Sequence, residues 1–192
     1  MKKNKYSLVC IKIILMVFIG TVIFLSCSNE DAAVNNEEQV ISTFYRNAIS
    51  DATLNVIDSV IVNGVIKLSL AAGNSNKIEK GDSVRFYYIG GILNSSNTIN
   101  LLNSSNVFAT NIDSVAIDYK LYGMVGTGEE RGIAGKNHYI KGLDIGLTMM
   151  NEYEIALLCF PSQLAYGNNF ICTVPAATPL IFLIIITKIK KN

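Results

Sequence analysis

Outside its first dozen residues and the three C-terminal lysines Lys188, Lys190 and Lys191 the sequence has no cluster of basic side chains, and it has no basic stripe interleaved with aromatics. That argues against nucleic acid as a partner, because binding a phosphate backbone needs several lysines or arginines on one surface. Histidine occurs once, as His138, and no Cys/His spacing of the metal-binding kind is present. No metal and no cofactor are therefore expected. Beyond residue 25 no apolar run reaches the ~18 residues of a membrane-spanning helix; the runs Ile155–Phe160 and Leu180–Ile189 are short, rich in β-branched residues, and read as buried strands.

What the chain does carry begins at the N-terminus. Lys2, Lys3, Lys5 and Lys12 precede an almost unbroken apolar run, Ile13–Leu25, with no acid among them. This is the layout of an export signal. The run ends in Phe24-Leu25-Ser26-Cys27, with a small residue before a cysteine, as in bacterial lipoprotein precursors of the Bacteroidetes-like kind; Phe24 stands where leucine is commonest. The sequence thus predicts a lipoprotein signal peptide over residues 1–26 and lipidation at Cys27. The alternative is an uncleaved membrane helix over Leu8–Leu25. Either tethers the chain to a membrane, and each acyl CH₂ buried there contributes about 0.8 kcal/mol. The expected location is the cell envelope, on the periplasmic or outer-membrane surface. Loss of those four lysines turns a chain of formal charge +1 net acidic, and residues 27–192 suffice for one domain. Of the remaining cysteines, Cys159 and Cys172 either pair or stay free, with Cys159 inside an apolar run where cysteine usually behaves as a small hydrophobe.

Ser28–Glu38 is polar, acidic and poor in large apolar residues, so residues 27–38 read as a flexible acidic tether. In Gln39–Ile49, Val40, Phe44 and Ala48 recur at every fourth position, which predicts an amphipathic helix. From Leu54 to Leu70 short β-branched runs are broken by Asn63-Gly64, a strong hairpin signal. Residues 39–63 are thus a helix-and-strand extension before a domain over 64–192. Val84–Ile89 predicts a strand. Leu93–Ser105, dominated by Asn and Ser, reads as loop, and Asn111–Lys136 as a long irregular segment. Ile140, Leu143, Leu147 and Met150 form one apolar stripe, predicting a short helix over Gly142–Met150 that needs a sheet to pack on. Many strands and one packed helix make an α+β domain.

Two separated segments then fall in a familiar order: Tyr139-Ile140-Lys141-Gly142-Leu143-Asp144-Ile145-Gly146-Leu147 with Met150, and Pro161-Ser162-Gln163-Leu164-Ala165-Tyr166-Gly167. With Lys80-Gly81-Asp82-Ser83-Val84-Arg85-Phe86-Tyr87-Tyr88-Ile89-Gly90 upstream, and Val174-Pro175 and Leu180-Ile181-Phe182 downstream, the stretch from Val65 to Lys190 resembles the FKBP-type peptidyl-prolyl cis-trans isomerases. The resemblance implies an FKBP-like twisted antiparallel sheet wrapped around one short helix. It also implies a cleft for proline-containing segments of exported proteins, walled by Tyr88, Phe108, Tyr139, Ile140 and Phe182, floored by Leu143, with Tyr166 offering its hydroxyl to a substrate carbonyl. Rotation about an X-Pro bond has a barrier of ~18–20 kcal/mol and needs no nucleophile. A twisted amide loses its resonance and much of its charge separation, so a dry apolar cavity favours it over the planar form.

Three departures bear on activity. The family's Phe-Asp-x-Ser segment stands here as Phe108-Ala109-Thr110-Asn111, with a methyl group in place of the pocket carboxylate. The floor, often tryptophan in small members, is Leu143, and the chain has no tryptophan at all. The loop Asn168–Thr173 is short and leads into Pro-Ala, leaving Phe170 and Ile171 to meet solvent or a client. The interval from Phe108 to Tyr139 is also longer than in minimal members, either as a client-binding elaboration or as one without function. His138 reads as an exposed bystander. The expectation is an isomerase assisting the folding of exported proteins with reduced activity; the alternatives are a non-catalytic FKBP-like binding module and, more weakly, a scaffold.

Overall fold

In a computed structural model of the chain, the described residues are 36–94 and 106–192. Contacts divide the chain into Met1–Asn36 and Glu37–Asn192, and the fold is that of the second unit. The segment expected to be a signal peptide, Cys27 and most of the Asn/Ser-rich stretch lie outside the described residues.

Helix α1 (residues 36–50) is followed by β1 (Asp58–Val62), β2 (Val65–Ala71), β3 (Ser83–Ile92), β4 (Val107–Thr110), α2 (Asp113–Asp118), β5 (Glu130–Ile133), α3 (Lys141–Leu147), β6 (Ile155–Phe160) and β7 (Leu180–Lys190). The strands form one antiparallel sheet in the order β1-β2-β6-β7-β3-β4, with β5 also on β3. The β1–β2 turn is Asn63-Gly64, both at positive φ (50° and 81°). That is the conformation a two-residue hairpin needs, and one that glycine adopts without strain.

The apolar runs are continuous because both faces of the sheet are covered. Alternate residues point to opposite sides. Ala156, Leu158, Phe160, Leu180, Phe182, Ile184 and Ile186 join Leu143, Leu147 and Met150 in one core. Leu157, Cys159 and Ile181 join Ile66, Leu68 and the α1 stripe Val40, Phe44 and Ala48 in the other. At about 25 cal/mol per Å² of apolar surface, a side chain as buried as Phe44 contributes roughly 2 kcal/mol. Cys159 and Cys172 are free thiols, the first buried and the second exposed.

Two segments differ from the sequence reading. The helix already includes residues 36–38, which read from sequence as tether, and Glu37 is buried. Its carboxylate accepts hydrogen bonds from the backbone N–H and the hydroxyl of Ser162, both at 2.7 Å. The bond lies between residues 125 apart in sequence, so no local pattern announces it. Asn111–Lys136 is not irregular: it folds into α2, a 3-10 turn at Tyr122–Met124, and β5. The 3-10 turn is tied back to β4, where the Thr110 N–H donates to Met124 Sδ at 3.3 Å.

Strand β5 pairs with the first half of β3 and β4 with the second, Phe86↔Glu130 and Ile89↔Thr110 being the facing ends. The gap between them is closed by two side chains. The Thr110 hydroxyl donates to the Tyr88 carbonyl at 2.8 Å. Asn111 Oδ1 accepts from the Tyr88 N–H at 2.7 Å, and Asn111 Nδ2 donates to the Phe86 carbonyl at 3.0 Å. The amide thus completes a ladder whose buried backbone groups would otherwise go unpaired.

Candidate active site

The cleft lies over the start of α3, between that helix and the strands that face it. It has a volume of about 320 Å³, at the lower end of the range for ligand cavities. All seven side chains named from sequence line it: Tyr88, Phe108, Tyr139, Ile140, Leu143, Tyr166 and Phe182. Ala109, read from sequence as the methyl group in place of the pocket carboxylate, lines it too, and the structure adds Phe86, Glu130 and His138. Phe86 and Tyr88 are two apart on one strand and so share its face, a signal already present in the alternation of β3. His138 is exposed, as read from sequence, but its ring stands edge-on to Tyr139 at 4.9 Å and lines the mouth. Glu130 had no such signal, because Glu130-Arg131-Gly132-Ile133 carries no strand pattern.

Phe182 is the hub of the aromatic wall. Its ring meets Phe108 edge-on at 5.9 Å, Tyr88 at 6.1 Å, and stacks on Phe160 at 5.9 Å with 12° between planes. Gly90, opposite Phe182 in the β3–β7 register, makes room for it: a Cβ there would stand 2.7 Å from the ring. On the other side Phe86 meets Tyr139 edge-on at 5.5 Å. Such tilted and edge-on pairs are favourable beyond their buried area.

The floor is made by close helix–sheet packing. Gly142 and Gly146 lie on one side of α3, and a Cβ on either would come within 2.4 Å of Phe160 or Leu158, respectively. The absence of side chains there lets α3 settle onto β6 and brings Leu143 up under the cavity. Asp144 holds the entry to the helix, its Oδ2 accepting from the Asn137 N–H. Tyr166 follows the 3-10 turn Ser162–Leu164, where the Ser162 carbonyl accepts from the N–H groups of Ala165 and Gly167, both at 2.8 Å. Through Ser162, Glu37 of α1 holds the turn that carries Tyr166.

The tyrosine hydroxyls stay protonated. Burial raises the pKa of Tyr139 far above the ordinary tyrosine value, with Glu130 and then Asp144 adding to the effect. Tyr88 is raised by burial and then by Glu130, and Tyr166 by burial and then by Cys172. The Tyr139 hydroxyl is buried and, among the described residues, has no partner in hydrogen-bonding geometry. Neutral phenols on an apolar wall donate hydrogen bonds to carbonyl oxygens and form no nucleophile.

Residues 74–187 match the family described as FKBP-type peptidyl-prolyl cis-trans isomerase. The chain belongs to that family. Its FKBP fold is also that of the three FKBP domains of wheat FKBP73, at TM-score 0.53 and 18% identity, covering 71% of this chain and 51% of that one. The N-terminal domain of FKBP42 from Arabidopsis thaliana aligns with TM-score 0.53 and 20% identity over 70% of this chain and 93% of that one. In sequence, FK506-binding protein 4 of Gibberella zeae is 29% identical over 130 residues, 68% of this chain and 22% of that protein. The protein of the same name from Neurospora crassa is 28% identical over 130 residues, 68% of this chain and 23% of that one. This FKBP chain therefore spans less than a quarter of the length of those two relatives.

Proposed function

We propose that the cleft catalyses cis-trans isomerisation of prolyl bonds in exported polypeptides, at a reduced rate, while the chain is held at a membrane surface by lipid on Cys27. The observation that carries the reading is the open cavity whose walls are Tyr88, Phe108, Tyr139, Ile140 and Phe182, with Leu143 beneath and Tyr166 beside it. A proline ring seated there leaves water behind. The X-Pro amide is then in surroundings that favour its twisted, less charge-separated form, and a phenolic O–H can hold a neighbouring carbonyl.

Ala109 favours the reduced rate and keeps the binding module as a second reading. It lines the cavity and is partly exposed, so Ala109→Asp puts a carboxylate where water still reaches it. The expected result is a gain in kcat/KM on a Leu-Pro peptide of about 3–10-fold, a restored polar contact being worth roughly 1 kcal/mol. Stability should fall by less than about 1 kcal/mol, since a carboxylate is strongly penalised only when buried without a partner. Absence of turnover in both forms, with both folded, would point to the binding module.

The anchor has its own test. Cys27→Ser should leave the precursor uncleaved and without lipid, read by intact mass and detergent partitioning. A wild-type chain that partitions with the membrane at unmodified mass would favour the plain membrane helix.

A further inference from the structure

Glu130 is placed in the cleft by strand register. It stands opposite Phe86 in the β3–β5 pairing, whereas its neighbour Arg131 stands opposite Arg85. Facing residues of an antiparallel pair share a face, and neighbours along a strand do not. Glu130 therefore comes out beside Phe86, on the side of the cavity, while the two arginines lie on the other face, where Arg85 approaches Glu129 at 3.7 Å. Among the described residues no lysine or arginine pairs with Glu130. The other charged group near Tyr139 is Asp144, buried on α3 with Oδ2 occupied by the Asn137 N–H. His138 stands exposed at the mouth. The cavity thus has aromatic walls and one partly exposed carboxylate without a cationic partner, with the Tyr139 hydroxyl held close by.

We propose that Glu130 makes the cleft selective for prolines flanked by lysine or arginine, its carboxylate receiving the cationic side chain next to the proline. This rests on the prolyl-binding reading of the same cavity. A charge-assisted hydrogen bond at the edge of an apolar pocket is stronger than one between neutral groups. Because Glu130 is not fully buried, the contact keeps a marked dependence on salt.

The test uses the full-length chain in an uncharged detergent and two short peptides that differ only in carrying Lys-Pro or Leu-Pro. Affinity is read by titration of the chain's amide signals, and isomer exchange by magnetisation transfer on the peptide. In low salt Lys-Pro should bind about 5–10-fold more tightly than Leu-Pro, with the advantage falling below about twofold at 1 M salt, where the screening length is about 3 Å. Glu130→Gln should remove the preference in low salt while preserving the fold. Equal binding of the two peptides by the wild type, or a lysine preference that survives Glu130→Gln, would overturn the proposal. Exchange separates it from the reading beneath it: a lysine preference without faster exchange supports Glu130 and removes the isomerase, whereas faster exchange without a preference does the reverse.

Discussion

Glu154→Leu is expected to lower stability by about 3–5 kcal/mol, the range for removing one partner of a buried ion pair. Glu154 is 2% exposed and Lys67 5%. Glu154 Oε1 accepts from Lys67 Nζ at 2.7 Å and from the Ser69 hydroxyl at 2.6 Å, and Oε2 accepts from the Asn151 N–H at 2.8 Å. The pairing of β2 with β6 shifts register between Ser69 and Ala71, immediately beside this carboxylate. Leucine would leave a buried ammonium, a hydroxyl and an N–H unpaired where the ladder is already interrupted. The check is the urea midpoint at constant m-value. Adding Lys67→Met should recover about 2 kcal/mol, because the cost lies in the stranded charge more than in the pair itself. A double variant as unstable as the single one would refute that explanation.

Gly142→Ala should have the next largest effect. Its Cβ would meet the Phe160 ring at 2.4 Å, a contact that Phe160, fully buried, has no room to relieve. Overpacking of this kind typically costs about 1–3 kcal/mol and occasionally more, and only part of it is offset by the ~1 kcal/mol by which alanine is the better helix former. A net loss of about 1–2 kcal/mol is expected. Phe160 stacks on Phe182, so displacement should reach the cavity wall and weaken peptide binding as well. Gly123→Ala is the control, because nothing lies within 4 Å of a Cβ there; it should leave binding unchanged and not lower stability, with a gain of up to about 1 kcal/mol from the less flexible unfolded chain.

The parts of the fold that the sequence announces are those whose packing follows a simple period. Val40, Phe44 and Ala48 mark α1, the motif residues from Ile140 to Met150 mark α3, and the runs in β6 and β7 are continuous because each face has its own core. The segment after β4 escapes such a reading because its order comes from elsewhere in the chain. The six residues of α2 are too few to display a period, and β5 is a strand because the edge of β3 is there to be paired. Asn111 reads as a loop residue yet serves as the missing rung of a ladder. Glu37 reads as part of a solvated acidic stretch, but Ser162 gives its carboxylate two donors. In the cleft the aromatic walls are legible from the motifs, since an apolar pocket and a core ask for the same residues in the same places. The charge at Glu130 is not, because only the register of β5 on β3 decides which face it occupies.

The most direct measurement is isomer exchange in a Leu-Pro peptide, followed by magnetisation transfer with the full-length chain present at about one-hundredth of the peptide concentration. The uncatalysed step takes tens of seconds or longer. A competent aromatic cavity predicts exchange several-fold faster than that, with the acceleration lost in Tyr166→Phe combined with Phe108→Ala. A folded wild-type chain that leaves the exchange at its uncatalysed rate, or one whose acceleration survives that double substitution, would contradict the assignment of catalysis to this cleft.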